Sequence, residues 1–537
     1  MRKLMNRLTP FRCDDRGSTV ITFGLTLLPM ILMVGASIDY ANAVRTRQLL
    51  QGSTDATALA LGQKGMDQDN AALLSQANAF LNAVAMDPNA RVVTAQKQTF
   101  GGTKTKICVT TETRAYHAIM KIVGFDYVTM HADSCVTSGA ASFEIGLVLD
   151  TSGSMDNGAG SSTKIAALRT AGKNFVDYMY SSQMNGAQVK IAIAPFSWGV
   201  AVDPSFRNAS WVDKNGNSPM HWMGYTGQGG LATSRFDLFT WMKAKKSTWD
   251  WKGCFESLPY PLNVQDTTPS GTDSSTLLVP SLWPDEPNGG GGYVNNYLDD
   301  NGGVCTTSAG SSATAQARVC KYKDPDIYSS YGPNLACSSK PLTRLTNDKT
   351  ALKTYIDQLD ADGNTNIHEG VMWGWRTISP NSMFADGKTY ETPDNRKVLV
   401  VMTDGMNTWG AVSNTLNKSY YSAYGFFTSV DGTGRNPRLP TQKIDGTALP
   451  NPTTGAQGRA AMDDLTRRAC QNARNAGVVI YTIGFTTSSD PIDAAGKQLL
   501  KDCAGEITRY YEATDAASIN TVFGQIAASI GKLRILE

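Results

Sequence analysis

The stretch FEIGLVLDTSGS, residues 143–154, decides the reading of this chain. Its first seven residues, apolar but for Glu144, have the character of a strand covered on both faces, as strands of parallel sheets are. Asp150, Ser152 and Ser154 follow directly. In parallel α/β sheets, ligands bind in the crevice at the carboxyl ends of the strands. One loop there brings a carboxylate and two hydroxyls to one place.

Working outward, strand and helix patterns alternate. The spacing predicts helices at 164–180, 348–360, 458–476, 491–504 and 516–530, and strands at 189–195, 397–402, 478–484 and 509–512. Such alternation predicts an α/β fold over 142–537, a doubly wound, mostly parallel sheet flanked by helices. Two long inserts interrupt it, at about 201–345 and 411–456. The first holds six of the ten tryptophans, four cysteines and the glycine run 289–292. That composition predicts loop-rich structure pinned by disulfides, since disordered segments are poor in aromatics. Asp299, Asp300 and Asn301 within it read as a solvated acidic turn in preference to a calcium site.

Two more loops complete the oxygen set. Thr365 lies in ADGNTNIHEG (361–370), and Asp404 lies in VLVVMTDG (398–405), just past an apolar strand. Asp150, Ser152, Ser154, Thr365 and Asp404 are all hard oxygen donors, which suit Mg²⁺, Mn²⁺ or Ca²⁺ better than zinc or copper. Helix capping by Asp150 and Ser154 explains one loop but not three. Trp373 and Trp375 read as packing residues, and His368 and Glu369 as pointing away from the metal loop or tuning its rim.

This set resembles the metal-ion-dependent adhesion site of the von Willebrand factor A (vWA) family. The family's D-x-S-x-S stands here as Asp150, Ser152 and Ser154, its second-loop Thr as Thr365, and its Asp before Gly as Asp404. The resemblance implies a Rossmann-like fold. It also implies a divalent ion held directly by the hydroxyls and through water by one or both Asp, with a position open for a partner's carboxylate.

The N-terminal region carries a second signal. Residues 17–38, GSTVITFGLTLLPMILMVGASI, contain no charge and follow Arg2, Lys3, Arg7, Arg12 and Arg16. A run of this length predicts a transmembrane helix at 18–38. The positive flank places residues 1–17 in the cytoplasm. The competing reading is a signal peptide with small residues at Gly35, Ala36 and Ser37. Residues 39–140 read as a helical, then strand-rich α+β neck, with strands at 91–99, 103–111 and 127–136.

The segment from Asp15 to Ala60 resembles TadE/TadG-like proteins of Flp (Tad) pilus assembly. The features that carry this are Arg16-Gly17, the apolar helix with Pro29, Asp39-Tyr40, Arg45, Arg47, Leu50-Gln51 and Asp55-Ala56. Pilin-like members that are processed carry Glu five residues after the cleavage glycine, where Thr22 stands here. That departure favours a permanent anchor over a polymerising pilin.

Eight of the nine cysteines follow the apolar run and none forms a C-x-x-C pair. This suits disulfides in an oxidising compartment. Links Cys108–Cys135, between two neck strands, and Cys470–Cys503, between neighbouring helices, are compatible with the predicted elements, and the full connectivity stays open. A net charge of +2, with no basic stripe, argues against nucleic-acid binding. Four scattered histidines, no Gly-x-Ser-x-Gly elbow and no P-loop argue against an enzyme.

The expectation is therefore a single-pass inner-membrane protein with its bulk in the periplasm, or one that reaches the cell surface. Its partner supplies a carboxylate and is another Tad component or a pilin. The alternatives are a surface adhesin using the same site and, third, a metal-dependent hydrolase.

Overall fold

The computed structural model describes residues 18–532, apart from 65–68, 86, 101–103, 138–141, 182–183, 185–186, 289–291 and 330. The expected cytoplasmic residues 1–17 and most of the glycine run at 289–292 lie outside the described residues. The chain divides into two compact units, one up to Ala140 and one from Ala141.

In the first unit, helices α1 (Ser18–Lys64) and α2 (Asn70–Val84) pack on strands β1 (Arg91–Phe100), β2 (Lys104–Tyr116) and β3 (Tyr127–Thr137). The strands form an antiparallel sheet in the order β1-β2-β3. Ala58, Leu61, Leu73, Ala77, Ala95, Ile107 and Val109 make its core. Cys108 and Cys135 stand opposite each other in register and are disulfide-bonded. The Asp39 carboxylate accepts the backbone N–H groups of Ala118 (2.8 Å), Ile119 (3.1 Å) and Met120 (2.8 Å), which fixes the β2–β3 connection against α1.

The second unit opens with β4 (Ser142–Asp150), α3 (Lys164–Met179) and β5 (Gln188–Phe196). The short helices α4 (Arg235–Lys245) and α5 (Ser312–Ala317) belong to the first insert. Then follow α6 (Lys349–Asp357), α7 (Ile367–Ile378), β6 (Asn395–Thr403), α8 (Gly455–Asn475), β7 (Val479–Phe485), α9 (Ala494–Ala504), β8 (Tyr510–Ala513) and α10 (Ala516–Lys532). The five strands are parallel, in the order β5-β4-β6-β7-β8.

Alternate residues of each strand enter different cores. Ile145, Leu147, Val398, Val400 and Ile483 join α3, α6 and α10. Val148, Leu399, Val401 and Ile480 join α7, α8, α9 and the aromatic first insert. Disulfides Cys254–Cys337 and Cys305–Cys320 pin that insert, and Cys470–Cys503 joins α8 to α9.

These observations correct the expected architecture, a doubly wound, mostly parallel sheet preceded by a transmembrane helix and a small α+β neck. The chain has two separate sheets, one antiparallel of three strands and one parallel of five. The reason lies in the connections. Short links between neck strands allow only antiparallel pairing, whereas parallel neighbours need a crossover of a dozen residues or more. Among the described residues, no helix is long and apolar enough to cross a membrane. The apolar run does not end in a separate span. The helix continues unbroken to Lys64, and from Asp39 its Ala, Leu, Ser and Thr side chains are buried on the neck sheet.

Candidate metal centre

β4 delivers Asp150 to the carboxyl edge of the parallel sheet, opposite Phe196 in register. The Phe196 carbonyl then holds both the N–H (2.8 Å) and the hydroxyl (3.0 Å) of Thr151, which turns the chain off the strand. Asp150 is fully buried. Its Oδ1 accepts the Ser152 N–H (2.7 Å), and its Oδ2 accepts the Thr403 hydroxyl from the end of β6 (2.5 Å).

The Ser152 and Ser154 hydroxyl oxygens lie 3.1 Å apart, and Ser154 donates to Asp404 Oδ1 (2.8 Å). Backbone bonds tie the first loop to the loop of Thr365: Gly153 N–H to Gly363 O (2.8 Å) and Asp362 N–H to Thr151 O (2.9 Å). Gly405 locates the convergence. A Cβ there would stand 3.5 Å from Thr365 Oγ1 and 3.9 Å from Ser154 Oγ. The structure brings together all five residues singled out from the sequence.

Two further residues join them. Lys164, in the first turn of α3, is fully buried, and its ammonium donates to Asp404 Oδ2 (2.8 Å) and Asp490 Oδ2 (2.6 Å). Asp490, from the loop after β7, also accepts from Asn157 Nδ2 (2.8 Å). A signal for Lys164 was present. It shares a helical face with Leu168, Ala171, Gly172 and Phe175, all buried, so its charge needs a partner on that face.

Burial pushes Asp150 up to about 7, and the neighbouring charge of Asp404 adds to this. Burial also raises Asp404, against the opposing pull of Lys164. Burial would raise Asp490 too, but its bonds from Lys164 and Asn157 prevail and hold it low.

The donor chemistry fits a hard divalent cation: paired hydroxyls, a third hydroxyl close by, and two carboxylates competing for compensation. Among the described residues, no group of three or more His, Cys, Asp or Glu could hold a metal.

His368 takes no part in the cluster. Its ring nitrogens meet Tyr424 Oη (2.8 Å) and Asn263 O (2.8 Å) in the core. Glu369 accepts from Trp373 Nε1 (3.2 Å). Trp373 and Trp375 are buried packing residues. The reading of a solvated acidic turn at Asp299–Asn301 holds for the exposed Asn301 and is corrected for Asp300. Asp300 is buried and pairs with the buried ammonium of Lys321 (3.1 Å), which also neutralises Asp285.

An open groove of about 700 Å³ lies at the same sheet edge, bordered by Pro204, Lys246, Trp249, Lys252, Tyr331 and Asp362. Asp362 belongs to the loop that carries Thr365.

One comparison bears on the N-terminal segment. Residues 17–63 match a family described as "Putative Flp pilus-assembly TadE/G-like". The match supports a pilus-associated protein. No curated protein matches the chain. Among solved structures, the chain is similar to the pilus adhesin SpaC from Lactobacillus rhamnosus GG (11% identity, TM-score 0.32), covering 83% of this chain and 35% of that one. It therefore spans about a third of SpaC. It is also similar to the vWF domain of the type V pili tip protein Mfa5 from Porphyromonas gingivalis (13% identity, TM-score 0.32), covering 74% and 97%. A variant of the PilB minor pilin from Streptococcus sanguinis is similar at 13% identity and TM-score 0.34, covering 84% and 81%. Likenesses at these TM-scores decide neither fold nor function.

Proposed function

We propose that this chain is a component of Flp pilus assembly that binds another protein through a divalent cation, Mg²⁺ or else Mn²⁺ or Ca²⁺. Asp150, Ser152, Ser154, Thr365 and Asp404 hold the ion, and a carboxylate of the partner, a Tad component or pilin, completes its coordination. The site is of the kind the vWA family carries. The observation that supports this reading is the meeting of three loops at the Ser152–Ser154–Asp404 chain of oxygens, with Thr365 beside it. Ser and Thr hydroxyls are neutral ligands, so the ion keeps its attraction for an external carboxylate. The role is binding, not catalysis. His368, the histidine nearest in sequence, is committed to core contacts. Four disulfides favour an oxidising compartment, in keeping with a bulk on the periplasmic side of the inner membrane.

The test is crosslinking and recovery from membranes in Mg²⁺, with wild type beside Asp404→Ala, and calorimetric titration of both purified proteins with Mg²⁺. The expected result is Mg²⁺ binding and capture of a pilus-system protein by wild type, both lost in the variant. Equal capture by the variant overturns the metal bridge.

A second reading, a surface adhesin, is favoured by the 700 Å³ groove beside the same loops. External protease applied to intact cells separates the two, since a periplasmic protein is shielded.

A further inference from the structure

The two inserts meet over a smaller cavity of about 110 Å³. Its wall holds two guanidinium groups, Arg235 and Arg438, and one carboxylate, Glu256, all deeply buried. Arg235 Nη1 donates to Glu256 Oε1 (2.5 Å) and Pro280 O (3.1 Å), and its Nε donates to His221 O (2.7 Å). Arg438 donates from Nε to Ser257 O (3.0 Å) and from Nη2 to Glu256 Oε2. Its remaining nitrogen, Nη1, meets the thioether of Met223 at 3.8 Å. A thioether is a weak acceptor for a charged donor.

Glu256 has no oxygen to spare, because Tyr421 also donates to its Oε1. Two cations against one anion leave the wall with an excess positive charge. Other buried acids do not cancel it at the wall. Asp213 is held by His221 and by the N–H groups of Asn217 and Ser218, Asp285 by Lys321, and Glu286 by Asn417 and the N–H groups of Val294 and Asn295; none of the three lines the cavity. Ser429, also on the wall, accepts the Phe426 N–H through its oxygen (2.8 Å) and keeps its own hydrogen to donate. Gln316 Oε1, a buried acceptor on the wall, has no partner.

Buried charge that is not matched is costly, and guanidinium groups are the side chains best suited to hold anions. We propose that this cavity binds a small monovalent anion of the chloride class on Arg438 Nη1, together with water. The volume suits such an ion, since one water needs roughly 10–15 Å³ of comparable space. A water beside the ion satisfies Gln316. Arg235, Glu256 and Gln316 come from the first insert, and Tyr421, Ser429 and Arg438 from the second. The anion therefore joins the two inserts, and it does so independently of the metal centre.

Thermal unfolding of the purified full chain, in chloride or gluconate at equal ionic strength, tests this. Chloride raises the midpoint by about 2 °C or more in wild type and not in Arg438→Gln. Crystals soaked in bromide give an anomalous peak within hydrogen-bond reach of Arg438, which also decides the matter if the variant does not fold. No chloride-specific shift together with no peak overturns the proposal. So does an equal shift in the folded variant, which places the ion elsewhere.

Discussion

Lys164 is the residue that sets the character of the oxygen cluster. Its ammonium lies in reach of two carboxylates where a cation of higher charge is proposed to bind, so it competes electrostatically with that ion. Lys164→Met is therefore expected to lower stability without metal, because Asp404 and Asp490 lose their counter-charge. It is also expected to enlarge the Mg²⁺-induced rise in melting temperature, read by calorimetry. An unchanged Mg²⁺ response in Lys164→Met argues against competition. At the surface, the Arg459 guanidinium holds the Asp493 carboxyl down to about 2, from its usual 3.8. A depressed carboxylate stabilises the fold above its unfolded value, and that contribution is lost as pH falls from about 4 to about 2. NMR titration should find Asp493 moving back toward 3.8 in Arg459→Ala.

At the scale of elements, α7 decides where Thr365 stands. It lies unusually close to the sheet because it crosses β4 and β5 through glycines. A Cβ on Gly374 would come within 2.2 Å of Val148 Cγ2, and one on Gly370 within 2.6 Å of Phe196 Cδ1. Gly374→Ala should therefore push the helix off β4, at a cost of about 1–3 kcal/mol for overpacking. Urea unfolding measures that loss. Mg²⁺ affinity should fall with it, because the Thr365 loop moves with the helix. In the neck, Asp39→Asn removes the charged acceptor for three N–H groups. Hydrogen exchange at residues 118–120 should accelerate while that of the second unit stays unchanged.

For the molecule as a whole, the disulfides confine the long insert. Cys254–Cys337 closes a segment of 83 residues. On the chain-entropy account, a loop of that length is worth about 4–5 kcal/mol. A Cys254→Ser/Cys337→Ser double variant should lose much of this from the second unit's unfolding transition. The transition of the first unit, with its own Cys108–Cys135 bond, should not move.

The sequence alone determined the strand FEIGLVL, the helices and strands around it, and the five oxygen donors. Each was written in local terms: a continuous apolar run, a helical period, or hydroxyls and carboxylates placed just past a strand. The Cys108–Cys135 and Cys470–Cys503 pairs were open to sequence reading only as candidates, and the flanking elements do bring them side by side. Cys254–Cys337 and Cys305–Cys320 were not, because a loop-rich insert has no period from which to infer neighbours. Tertiary structure alone decided the antiparallel order and register of the neck strands and that the apolar helix continues onto them. It alone also placed Lys164 between Asp404 and Asp490, and Lys321 against Asp300. These are pairings of charges far apart in the chain, up to 326 residues for Lys164 and Asp490. A buried charge announces that it needs a partner, but only the folded chain shows which one it finds.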